Sequence, residues 1–113
     1  MAYNNRGIVC TEKGQHQEAI SDYNKAIEID SRYALAYSNR GFVFTITSQY
    51  DKAITDATMA IKLNPSLYQP YIFRGVAYYE QEQYDKACSD WERACDLGAC
   101  KYFEESISNC ICP

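Results

Sequence analysis

The sequence predicts an all-α solenoid of three helix-turn-helix units closed by a terminal capping helix, on three observations. One pentad recurs every 34 residues: Tyr3-Asn4-Asn5-Arg6-Gly7, Tyr37-Ser38-Asn39-Arg40-Gly41 and Tyr71-Ile72-Phe73-Arg74-Gly75. Behind each pentad, apolar residues return at helical spacing. After Lys101 the period stops, because one more step puts the tyrosine column on Glu105 and the glycine column on Asn109. The units therefore run 1–33, 34–67 and 68–101 within a single domain, with a cap and tail at 102–113.

The pentad lies in the first helix of each unit. Glycine inside a helix costs about 1 kcal/mol relative to alanine, so a glycine kept in three units implies close approach of the facing helix, at Ala19, Ala53 and Ala87. Gly14 and Ser48 mark the turn that follows. The second helices carry the stripes Ala19, Ile20, Tyr23, Ala26, Ile27 and Ala53, Ile54, Ala57, Ala60, Ile61. Pro65 and Gly98 stop the second helices of units two and three. In the tail, Phe103 and Ile107 are four apart, with Ile111 beyond, and give the single apolar face that a cap needs. Met1-Ala2-Tyr3 begins within the first helix, so the first unit has no cap and the chain reads as a piece of a longer protein.

These columns resemble the tetratricopeptide-repeat family, whose pattern is aromatic, Gly, aromatic in the first helix, then Ala, aromatic, Ala, and finally Pro. Unit two supplies Tyr37, Gly41, Phe44, Ala53, Ala60 and Pro65; unit three supplies Tyr71, Gly75, Tyr78, Ala87, Trp91 and Ala94; unit one supplies Tyr3, Gly7, Ala19, Tyr23 and Ala26. Departures are Cys10 and Ala57 at aromatic positions, Ser31 and Ala99 where Pro is usual, and Arg6, Arg40 and Arg74 where Leu is common. The resemblance implies a right-handed solenoid whose first helices line a concave groove for an extended or helical peptide.

Composition excludes several function classes. The 113 residues are 47% hydrophobic and 23% charged, with net charge −4, which suits one globular domain and leaves no clustered positive field for nucleic acid or an anionic membrane. No apolar run spans a bilayer and no charged-then-apolar leader opens the chain, so a soluble, cytoplasmic protein with reduced thiols is the expectation. Phosphate-cradling glycine loops, HExxH and GxSxG are absent. His16 shares a column with Tyr50 and Tyr84, which reads as packing. An enzyme has no residue-level support, and no cofactor is implied.

Among the chemically suggestive residues, Arg6, Arg40 and Arg74 lie where antiparallel helices bring them near Asp22, Asp56 and Asp90, so an ion-pair ladder between helices is expected. Cys10, Cys88 and Cys95 replace aromatics or isoleucines in core columns and read as inert buried thiols. Cys100, Cys110 and Cys112 fall around the cap, where a metal or redox site is the minor alternative, lacking paired CxxC spacing. The tyrosine columns are packing positions first.

Carrying family positions over from the glycine column places a groove at Asn4, Ile8, Asn39, Phe42, Thr45, Ile72, Phe73, Val76 and Tyr79, edged by Glu12 and Glu80. The family's carboxylate clamp, which grips acidic chaperone tails, would fall on Asn4, Ile8, Asn39, Gln69 and Phe73. Only Asn39 matches, and no cation does. The expected partner is another protein, offering a peptide or amphipathic helix. A basic segment is favoured over residues 69–113, where eight carboxylates face four cations. The alternative is self-association through the uncapped first unit and the groove.

Overall fold

The computed structural model describes residues 2–108 and 112. Its elements are α1 (Ala2–Glu12), α2 (His16–Ile29), α3 (Ala34–Ile46), α4 (Tyr50–Leu63), α5 (Gln69–Glu80), α6 (Tyr84–Asp96) and α7 (Lys101–Ser108), with no strand among the described residues. Each helix packs on its successor, and α3 also touches α1 and α5, which produces a stack 41 Å long and 25 by 20 Å across. Among the described residues no helix is long and apolar enough to cross a membrane.

The turn inside each unit is built the same way three times. The backbone N–H groups of Gln15, Gln49 and Gln83 donate to the carbonyls of Cys10, Phe44 and Tyr78 at 2.8, 2.8 and 2.9 Å. One residue earlier the chain is left-handed, with φ of 76° at Gly14, 62° at Ser48 and 61° at Glu82. Only glycine adopts that region without the roughly 1–2 kcal/mol clash between Cβ and carbonyl. Ser48 and Glu82 hold it because the hydrogen bond that closes the turn requires it.

Alanines form the seam. Ala19, Ala53, Ala87, Ala60 and Ala94 are wholly buried, where any larger side chain would push the helices apart. At Gly7 and Gly75 the close approach differs from the expected contact with Ala19 and Ala87. A Cβ on Gly7 would strike the Tyr23 ring, and one on Gly75 would strike the Trp91 indole. The partner is thus the second-helix aromatic, which is too wide to share the space with any side chain. Unit two has Ala57 in that column, so a Cβ on Gly41 would meet Asp56 Cβ at 3.3 Å, the expected Ala53 through its carbonyl at 3.5 Å and the Ala57 nitrogen at 3.6 Å.

The cap forms, but on a rotated face. Phe103 packs against Ala87, Cys88, Trp91 and Cys112, and Tyr102 stacks on Trp91 at 5.7 Å. Ser106, three residues after Phe103, is buried, whereas Ile107, expected inward, is 46% exposed. The cause is the returning chain: Cys112 donates its backbone N–H to the Ser106 carbonyl at 3.2 Å and so draws that face inward. Ile111 lies outside the described residues.

Two glycine substitutions separate close approach from helix propensity. Gly75→Ala is expected to destabilise by about 1–3 kcal/mol, because overpacking against Trp91 outweighs the helix gain. Gly41→Ala should shift stability by less than about 1 kcal/mol, since its contacts yield by a few tenths of an ångström. Urea unfolding followed by circular dichroism measures both, and equal losses would contradict the aromatic-wedge explanation.

Candidate peptide-binding groove

Every first-helix arginine is bound by its partner helix through two hydrogen bonds. Arg6 donates to Asp22 at 3.0 and 2.7 Å, Arg40 to Asp56 at 2.7 and 2.8 Å, and Arg74 to Asp90 at 2.8 and 2.7 Å. The carboxylates are buried, while the arginine side chains are 60%, 21% and 19% exposed in chain order. A second link runs between units: Arg40 Nη1 donates to Asn24 Oδ1 at 2.8 Å and Arg74 Nη1 to Thr58 Oγ1 at 3.2 Å. Rings of the same helix pack over these guanidiniums, Tyr37 and Phe44 on Arg40, Tyr71 and Tyr78 on Arg74. Hydrogen bonding to Asp56 and Asp90 holds Arg40 and Arg74 above even the ordinary arginine range, and hydrogen bonding from Arg6 holds Asp22 below the ordinary carboxylate range. The expected ladder is present, and it engages all three of these cations.

The remaining first-helix positions build the groove around one aromatic contact. Phe42 of α3 and Phe73 of α5 meet at 4.9 Å between centroids with planes tilted by 42°. Beside them Ile8 is exposed and Ile72 is half-buried. Asn39 Nδ2 donates to Asn4 Oδ1 at 3.0 Å and ties α3 to α1; Asn4 is buried, so its amide serves the helix contact. Thr45 is buried too, its hydroxyl donating to the Gly41 carbonyl at 2.8 Å within the same helix. Val76 and Tyr79 pack against the cluster of Ala87, Cys88, Trp91 and Cys112, and Tyr79 meets Tyr84 edge-on at 5.4 Å. Ile46 follows Thr45 among the positions that the sequence turns away from the second helices. It is 46% exposed beside the buried Thr45, and the signal for that difference was available, since a threonine four residues after a helical glycine can bond back to its carbonyl. A separate cavity of about 430 Å³, lined by Arg40, Phe44, Asp51, Lys52, Thr55 and Asp56, shares no residue with the groove.

Comparison with known proteins agrees with this geometry. A family model described as TPR repeat matches residues 7–45. The second TPR domain of human RPAP3, solved with the HSP70 peptide SGPTIEEVD, is 28% identical, with a TM-score of 0.80 over 85% of this chain and 80% of that one. The chain has the fold of tetratricopeptide-repeat domains, and its residues 7–45 match the repeat model itself. The first TPR of Spaghetti (RPAP3), bound to the HSP90 peptide SRMEEVD, is 24% identical, with a TM-score of 0.89 over 97% of this chain and 87% of that one. The Arabidopsis OM64 TPR domain is 23% identical, with a TM-score of 0.88 over 96% and 93%. No protein of curated function matches the chain.

The third repeat corrects the reading of the thiols. Cys88 is joined to Cys112 and Cys95 to Cys100, so these four are not reduced, and Cys88 and Cys95 are not inert core thiols. Column analysis could not find the pairs, because each joins a core column to the loop or tail around the cap. Cys100 and Cys112 belong to different bridges, Cys110 lies outside the described residues, and no group of metal-ligating side chains converges among the described residues. Cys10 keeps its thiol, 3.8 Å from Asp22 Oδ2.

The repeat clamps have measurable consequences. Arg40→Ala leaves the Asp56 carboxylate buried and unpaired and should destabilise by about 3 kcal/mol in urea unfolding, while the more exposed Arg6→Ala should cost less. Because Asp22 is held below its unfolded value, Arg6's contribution is fully present above about pH 4 and is lost as pH falls through the lowered value. The stability gap between wild type and Arg6→Ala should therefore shrink toward pH 3, by about the same relation; a gap that widens would reverse the sign.

Proposed function

We propose that the chain is a protein-interaction module without catalysis, whose first helices hold an apolar peptide or amphipathic helix of a partner. The observation that carries this reading is the Phe42–Phe73 contact on first helices whose arginines, Arg6, Arg40 and Arg74, are all bound to the second helices. The RPAP3 domains bind peptides that end in EEVD, which supports a protein partner. Gripping such an acidic terminus requires charge-assisted donors. At the corresponding positions this chain has Asn4, Ile8, Asn39, Gln69 and Phe73, of which Asn4 is buried and bonded to Asn39. An apolar ligand is favoured by the surface area that Ile8, Phe42, Ile46, Ile72 and Phe73 leave open to water. The excess of carboxylates over residues 69–113 favours a basic segment at that end.

Calorimetric titration of two probes tests this reading: a leucine-rich basic amphipathic helix, and the acidic peptide SRMEEVD. The helix should bind, and Phe42→Ala with Phe73→Ala should weaken it at least about tenfold, near 1.4 kcal/mol, with the fold intact by circular dichroism. Tighter binding of SRMEEVD, or affinity for the helix unchanged by the double substitution, would overturn the assignment.

A further inference from the structure

We propose that the Cys88–Cys112 disulfide is a thiol-exchange site whose substrate is a dithiol reductant, and whose reduction releases the cap from an otherwise intact domain. The bridge spans 24 residues and encloses the whole of α7, while Cys95–Cys100 pins the chain just before that helix. Between these anchors α7 is held by one face only, Phe103 on the Ala87, Cys88 and Trp91 cluster and Tyr102 on Trp91. It is eight residues long, well below the roughly 12–15 that make an isolated helix even marginal in water. Its principal packing partner is α6, and Tyr102 and Ile107 remain 39% and 46% exposed.

Reduction leaves the three repeats what they need. Cys88 stands in the column of Ile20 and Ile54, where a thiol packs as a small hydrophobe. The Arg74–Asp90 clamp and the Trp91 contact with Gly75 use no sulfur. Cys88 and Cys112 are buried, and the way to the bridge is a cavity of about 260 Å³ that they line with Asp85, Ser89, Glu92 and Phe103. In the exchange, a thiolate of the dithiol attacks one sulfur and displaces the other as a thiolate, which takes a proton from water. The second thiol then closes on the mixed disulfide, so one cyclic disulfide of the reductant and two cysteine thiols result. Asp85 and Glu92 at the mouth repel an incoming thiolate, so added salt should speed the step.

Trp91 is the sole tryptophan and stacks on Tyr102 of the cap, which makes its emission a direct reporter. The full chain, oxidised or treated with dithiothreitol, should be compared by Trp91 fluorescence and amide hydrogen exchange. The expected result is a red-shifted emission and exchange at least about tenfold faster across residues 101–108, with α1 to α6 unchanged. Cys112→Ser should give the same pattern without reductant, and Cys10→Ser should not. Unchanged emission and exchange on reduction would overturn the proposal, and so would loss of protection in every helix, which would make the bridge a staple of the whole fold.

Discussion

The structure depends on a guanidinium set between two helices. In each repeat the arginine before the glycine grips a buried aspartate of the second helix with two hydrogen bonds, fixing both the distance and the rotation of the pair. In the second and third repeats the same group reaches one helix further back, to Asn24 and Thr58, so the joint that closes a unit also sets it on its predecessor. An isolated buried carboxylate would be costly, and the pairing removes that cost while admitting one geometry. The aromatic rings laid over Arg40 and Arg74 shield the joint from water.

The proposed function rests on what the clamps consume. Groove and clamp share the first helices, and a cation bound to the second helix is unavailable to a ligand on the first. Asn4 and Thr45 are withdrawn in the same way, one into a cross-helix amide contact and the other into its own helix. On the proposed reading the groove face is left to Phe42, Phe73 and the aliphatic first-helix residues, a surface that favours burying apolar area over pairing charge.

Much of this was legible in the sequence because a repeat prints each structural demand three times. The arginine and aspartate columns stood 16 residues apart in every unit and named the clamp directly. The glycine column announced a close approach but not its partner, because Tyr23, Ala57 and Trp91 differ in size while the alanines beside them do not. Among groove residues, periodicity gave the face but not the depth. Whether Asn4 or Thr45 is open to a ligand turns on one hydrogen bond each, which spacing does not encode. The disulfides were the least legible feature, since each pairs a core column residue with the loop or tail around the cap, and the tail's return through Cys112 also turned the cap onto Ser106 rather than Ile107.

The most direct test of the proposal that the clamps leave no cation for an acidic ligand is to follow the arginine Nε–Hε resonances of Arg40 and Arg74 by NMR during titration. With an acidic carboxylate-terminated peptide these signals should stay in place, and with an apolar amphipathic helix the shifts should gather on Phe42, Ile72 and Phe73. Movement of the arginine signals on adding the acidic peptide, with the phenylalanines undisturbed, would show that the guanidiniums leave Asp56 and Asp90 for a ligand, and would contradict the role assigned to the clamp.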